Sequence, residues 1–287
     1  MDCSIEWDEW LMVDALVSPA DTVLELGARF GTTSCALSKA TGNSGGVVSV
    51  ETDVAVTKFA EANREIHQCN FALVRGSVSS EPLRLHSGRG YDLRTREAYA
   101  NESSLPQLRF RQVESMLGRH IDTLLLDCEG CIGTLLTDRD EGDILSGIKL
   151  VLMEHDSPSA LGGGYGRYFD LFRRRGFEQI WLSQDTFCPS CAWSRLIKHS
   201  AWRRVHSREE LSRLRRSCWD YARSNGFSRA QLTCLNPALD DPLGRLINDS
   251  HSGMEPREIE AMLKRLPSIH GSFLQPLERP TVPVGIT

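Results

Sequence analysis

Between residues 21 and 199 the chain alternates short, unbroken apolar blocks with longer stretches of mixed character. The blocks at 22–26, 46–50, 71–74, 121–126 and 150–153 are rich in Val, Ile and Leu and show no polar alternation. An alternating strand buries one face; a continuous apolar block of this length predicts a strand covered on both faces, as in a parallel sheet. The stretches at 32–40 and 55–67 carry helical periodicity, and Asn43-Ser44-Gly45-Gly46 is a turn signal leading into the second strand. This order predicts an α/β fold, a mostly parallel sheet with helices on both faces.

Further along, 168–175 predicts a helix closed by Gly176, and 177–182 with 193–197 predicts an antiparallel pair at the sheet edge. The segment 79–112 is polar, weakly periodic and rich in Arg, Ser and Glu, which predicts an insertion or lid. After Trp202 the pattern changes. Leu211, Leu214, Cys218 and Tyr221 stand at helical spacing within 207–225, a second short helix is expected at 256–266, and 276–287 holds three prolines and predicts an extended tail. The organisation expected is an N-terminal helix in 1–20, one α/β domain in 21–202 and a helical C-terminal extension with a tail in 203–287.

Composition narrows the class. A chain of 287 residues, 40% hydrophobic and 25% charged, can bury one large core. The net charge of −5 argues against a wholesale nucleic-acid binder, but the charge is uneven. Residues 173–223 hold twelve Arg or Lys against five Asp or Glu, a balance of +7, so the remainder carries −12. With no recognisable RNA-binding motif beside it, this segment predicts a solvated face and no specific nucleic-acid partner. No apolar run of about 18 residues marks a membrane segment, and the acidic start lacks the features of a signal peptide. Nine cysteines, an odd number, suit a reducing compartment better than a disulfide framework. A cytoplasmic protein is the resulting expectation; the oligomeric state is not indicated.

The sharpest chemical signal is Val23-Leu24-Glu25-Leu26-Gly27-Ala28-Arg29-Phe30-Gly31, a buried strand running into a glycine-containing turn and then a helix. Glycine permits the turn and lets a ligand approach the backbone. Twenty residues beyond Gly31 the second strand ends in Glu51, whose carboxylate can accept both hydroxyls of an adenosine ribose. Dinucleotide sites want G-x-G-x-x-G, so that backbone closes on a pyrophosphate. Here the second glycine is replaced by Arg29, or by Ala28 in the shifted register. A site for S-adenosylmethionine has no phosphate to cradle, and Glu25 suits its cationic sulfonium amino acid. At the end of the fourth block, alternation points Asp127 and Glu129 to one side and Cys128 to the other. Strand ends near a reversal of strand order line the ligand crevice, which directs these acids towards a bound cofactor.

Glu25-Leu-Gly-Ala-Arg-Phe-Gly31, Val50-Glu51, Ile121-Asp122 through Leu126-Asp127-Cys128-Glu129-Gly130, and Arg175-Gly176-Phe177 together resemble the FkbM-type methyltransferase family over roughly residues 21–199. The resemblance implies a class I methyltransferase sheet of Rossmann-like design, S-adenosylmethionine as donor, and methyl transfer to a hydroxyl oxygen of a small-molecule or glycan-like acceptor. By matching position, Gly27, Ala28 and Gly31 form the donor loop, with Glu25 and Arg29 in it; Glu51 holds the ribose, and Asp127 and Glu129 stand at the reaction end. Gly76-Ser77, after the third strand, is an adenine-side contact by position only. The rival reading is a non-catalytic adenosylmethionine-fold module that binds a partner through the basic segment.

Glu154-His155-Asp156 closes the fifth strand and makes His155 a further catalytic candidate, because imidazole titrates near neutrality. A divalent cation beside Asp127 would resemble catechol-type O-methyltransferases, with no ligand set in the sequence to support it. Cys128-x-x-Cys131 and Cys188-x-x-Cys191, with His199, have the composition of a zinc site. The 56 intervening residues exceed ribbon spacing, and alternation turns Cys128 towards the core and away from Cys131. No metal is therefore expected.

Overall fold

The apolar blocks form strands of one sheet, and all are buried but the block at 71–74: expected to be covered on both faces, it forms an edge strand in which Ala72 is exposed and Leu73 half-buried. The computed structural model describes residues 7–87, 93–97, 104–128, 131–137, 141–155, 164–184 and 198–224. In chain order the elements are α1 (Trp7–Leu16), β1 (Val23–Leu26), α2 (Thr32–Ala40), β2 (Val47–Glu51), α3 (Val54–Ile66) and β3 (Ala72–Arg75). An inserted group follows: β4 (Ser77–Val78), β5 (Leu83–Ser87), β6 (Leu93–Glu97) and β7 (Gln107–Leu108). Then come α4 (Phe110–Leu117), β8 (Thr123–Leu126), α5 (Ile132–Leu135), α6 (Glu141–Gly147), β9 (Leu150–His155), α7 (Gly166–Arg174), β10 (Phe177–Gln184), β11 (Lys198–Arg204) and α8 (Arg208–Ser224).

The main sheet has seven strands in the order β10-β11-β9-β8-β1-β2-β3. β1 pairs in parallel with both β2 and β8, β2 with β3, and β8 with β9, while β11 runs antiparallel to β9 and β10. The fold is thus the mostly parallel Rossmann-like sheet read from the sequence. Every residue of β1, β2 and β8 is buried, which is why those segments show no alternation. Alternation persists in the packing instead. Leu24, Leu26, Val151 and Met153 join one core cluster with Phe169, Phe172 and Trp202, whereas Val23, Leu150 and Leu152 join the other with Met12, Leu37 and Trp181.

Three findings depart from expectation. The segment 193–197 lies outside the described residues, and the strand that pairs with β10 is β11, which continues to Arg204. Fully buried Trp202 anchors it against Phe169 and Phe172. The insertion holds defined structure: β4 pairs in parallel with β7, and β5 with β6 forms an antiparallel hairpin. The cysteines are not all free thiols, since Cys35 is joined to Cys69 and Cys128 to Cys131. The turn after β8 brings Cys131 back onto Cys128, with Cα atoms 5.4 Å apart, within disulfide reach. Cys128 does pack against the core, as expected, yet it also meets Cys131, which the alternation argument had turned away.

α8 lays Cys218, Leu211 and Leu214 on the α1 side of the sheet, and Tyr221 donates to Asp14 of α1. The expected helix at 256–266, the tail at 276–287, and Cys188 and Cys191 lie outside the described residues. Among the described residues no helix is long and apolar enough to cross a membrane. At the N-terminal end of the sheet Lys149 Nζ bridges Asp21 (2.8 Å) and Asp122 (2.6 Å). Burial alone would raise the pKa of Asp21; the hydrogen bonds from Lys149 and Ser18 outweigh it and hold it below the usual carboxylate value.

Candidate functional site

Chain order reverses between β1 and β8, since β2 lies on one side of β1 and β8 on the other. The C-terminal ends of these strands therefore flank a crevice of the kind that binds ligands in open α/β sheets. Gly27 begins its wall. It has φ 101°, and a Cβ there would stand 1.6 Å from the backbone oxygen of Asp127. Only glycine lets the end of β1 pass so close to the end of β8. Gly31, at φ 74°, turns the chain into α2, where a Cβ would press on Ala60 at 3.1 Å.

The loop between these glycines is internally hydrogen-bonded. The amides of Gly27 and Ala28 both donate to Val50 O (2.9 and 3.0 Å), and that of Gly31 donates to Ala28 O (2.6 Å). Arg29 adopts a positive φ of 43° and donates its amide to Glu51 Oε2 at 2.7 Å. The other Glu51 oxygen accepts from the Asp53 amide at 2.7 Å. That oxygen also accepts a long bond from Thr52 Oγ1 at 3.5 Å. Glu51 is thus fixed at the mouth of β2 and buried, and a carboxylate has about four acceptor sites, more than these three bonds use. The Arg29 guanidinium lies 5.3 Å from the Phe30 ring centre, and Phe30 meets Phe59 edge-on.

Gly76 and Ser77 stand beside this group. Gly76 N donates to Glu51 O, and Ser77 N to Pro106 O, each at 2.8 Å. Asp127, half-buried, donates its amide to Leu26 O at 3.0 Å. The structure therefore brings Gly27, Ala28, Arg29, Gly31, Glu51, Gly76, Ser77 and the Asp127 backbone to one end of the sheet. Glu129 and Asp156 lie outside the described residues.

The other candidates are enclosed on opposite faces. Glu25 is wholly buried and accepts from Ser34 Oγ of α2 at 2.5 Å. His155 is 1% exposed, with Nε2 2.6 Å from Ser200 Oγ and its ring between Tyr165 and Phe169, centroids 5.0 and 5.2 Å away. Among the described residues no group of three or more His, Cys, Asp or Glu is disposed to hold a metal ion.

Sequence reasoning missed a buried charged cluster beside the site. His199 of β11 lies 3.1 Å from Glu154 of β9. Burial pulls its pKa down, but Glu154, with Asp8 and Glu9 of α1, pushes it up to about 9. Glu9 also accepts from Thr33 Oγ1 of α2 at 2.6 Å. The available signal was the pair Asp8-Glu9 inside an apolar helix, since adjacent acids buried this way need nearby donors or positive charge.

No family model matches the chain, and no curated protein matches it. Solved structures similar to it include a putative O-methyltransferase from Klebsiella pneumoniae, with 12% identity over 70% of this chain and 80% of that one and a TM-score of 0.43. The O-methyltransferase from Bacillus cereus in complex with SAH shares 14% identity over 68% and 80%, with a TM-score of 0.41. Aeropyrum pernix fibrillarin with natively bound S-adenosyl-L-methionine shares 15% over 70% and 76%, with a TM-score of 0.42. At these scores and identities the likeness is no argument for a ligand or an activity.

Proposed function

We propose that the crevice binds S-adenosylmethionine and that the protein is a methyltransferase acting on a hydroxyl oxygen, in the manner of the FkbM-type family its motifs resemble. The observation that carries this reading is the state of the glycine loop. The amides of Gly27, Ala28, Arg29 and Gly31 already donate within the protein, so the loop offers no cradle for a pyrophosphate, which binds through free backbone N–H groups. What it offers is a fixed carboxylate, Glu51, with acceptor capacity for a ribose diol.

In this reading Gly27, Ala28 and Gly31 form the wall against the donor, and Arg29 orients Glu51 through its amide. Gly76 and Ser77 border the adenine end. Glu25 holds α2 through Ser34 and contributes negative potential behind the loop. When bound, the donor supplies an activated sulfonium methyl. Asp127 orients the acceptor hydroxyl and receives its proton, with Glu129 two residues on. Aligning an acceptor with an already activated methyl group supplies most of the acceleration through proximity and exclusion of water.

A thermal-unfolding panel tests the reading. S-adenosylmethionine or S-adenosylhomocysteine at 100 times Kd stabilises the fold by about 2.7 kcal/mol and raises Tm by a few degrees. NAD at the same concentration leaves Tm unchanged. A shift with NAD and none with either adenosyl ligand contradicts the proposal.

A further inference from the structure

A surface helix turns a polar face to water, and α3 does not. Its inner face is committed to the protein: Thr57 and Ala60 are buried, Asn63 Nδ2 donates to Phe30 O at 2.8 Å, and Arg64 Nη1 donates to Phe71 O at 3.3 Å. On the outer side Ala55, Phe59, Ala62 and Ile66 are all exposed, Phe59 by 47% and Ile66 by 72%. Their spacing of four, three and four residues makes one stripe along the helix. Apolar residues scattered singly on a surface need no explanation. A stripe in register along a thirteen-residue helix is a seam of the kind by which two helices pack.

The seam is complementary to itself. About a twofold axis level with the middle of α3, an antiparallel copy sets Phe59 against the partner's Ala62 and Ile66 against the partner's Ala55. Each layer then joins a large side chain to a small one, the alternation that fills an interface without voids. A parallel copy would set Phe59 on the partner's Phe59 and leave a gap between alanines. Charge agrees with the antiparallel pairing. Lys58 and Glu65 flank the same side of the seam one heptad apart, so Lys58 comes within about 3 Å in height of the partner's Glu65. Among the described residues neither side chain is in an ion pair, whereas the neighbouring Glu61 is paired with Arg75 at 2.7 Å.

We propose that the exposed face of α3 is a docking surface for a second copy of this chain, the two helices packing antiparallel about a twofold axis. Thirteen residues make a helix about 20 Å long. A contact of that length buries less than about 1,200 Å² in total, the range of weak and transient interfaces, which corresponds to a Kd on the order of 100 µM. The two faces are used up in the contact, so association stops at the dimer.

Sedimentation equilibrium of the full chain at low salt, from about 5 to about 500 µM, tests the proposal. The expected result is a monomer–dimer equilibrium without larger species. I66E, which presses a carboxylate onto the partner's Ala55, weakens it at least tenfold. K58E and E65K each set like charges together at both ends of the seam and weaken it about fivefold. The double exchange K58E/E65K restores the native affinity, and K58E mixed with E65K forms a heterodimer tighter than either variant's own dimer. These two results require position 58 of one copy to meet position 65 of the other. Melting followed by circular dichroism confirms that each variant is folded, as expected for substitutions at exposed positions; if I66E fails to fold, the charge exchanges decide. A chain monomeric at every concentration, as it is if another segment or a different protein covers the seam, overturns the proposal. So does a dimer indifferent to I66E, or one that the double exchange fails to restore.

Discussion

Gly27 concentrates the geometry of the site in one residue. Its missing side chain lets the Asp127 carbonyl approach to where a Cβ would sit, so Gly27→Ala must shift β1 or β8 or abandon its positive φ. The expected cost is on the order of 3 kcal/mol, read as a lower midpoint in urea unfolding; an unchanged midpoint would show that the strand ends do not pack this way. Asp127 is the residue whose role is most exposed to test. Asp127→Asn preserves volume but removes the carboxylate, so affinity for S-adenosylmethionine should stay within twofold while methyl transfer to hydroxyl acceptors falls by about 10²–10⁴-fold. Unchanged turnover in a stable, donor-binding variant would remove Asp127 from the reaction. The position of Glu51 beside the glycine turn was legible because it ends a fully buried strand twenty residues beyond Gly31. The burial of His155 was not legible: a histidine at a strand end reads the same whether it faces a crevice or, as here, Tyr165 and Phe169.

Among the elements, the central strands were legible because burial on both faces forces continuous apolar sequence. The edge was harder. β11 contains Lys198, His199, Arg203 and Arg204, and its polar residues hide a strand whose Ala201 and Trp202 are fully buried. Misplacing that strand at 193–197 also concealed the contact of His199 with Glu154 and α1. This cluster makes the packing of α1, β9 and β11 depend on pH. The folded-state pKa of His199 is about 9 against 6.5 for the free side chain, so its stabilisation is complete below about pH 6.5 and is lost as pH rises through 9. The shift corresponds to about 3 kcal/mol. Unfolding free energy should therefore decline between pH 6.5 and 9.5 in the native protein and decline less in His199→Gln; identical profiles would show that His199 is not charged in the fold.

At the scale of the molecule, the strand order places β1 and β8 side by side although 96 residues separate Leu26 from Thr123. Composition holds no record of that neighbourhood; the motif order carried it, because an acid at the end of the second strand has its expected use only beside the glycine turn of the first. The cysteine pairings were hidden for a related reason. Cys35 and Cys69 are 34 residues apart and meet only because α2 packs beside the chain entering β3. Across the whole account, the central claim is a donor site that accepts a ribose and not a pyrophosphate. Its most direct measurement is calorimetric titration of S-adenosylmethionine into the native protein and Glu51→Ala, with folding of the variant confirmed by its Tm. The account predicts one site per chain and a loss of about 1.5–3 kcal/mol in the variant, roughly a 10- to 100-fold rise in Kd. Equal affinity in the two proteins, or tight binding of NAD in place of S-adenosylmethionine, would contradict it.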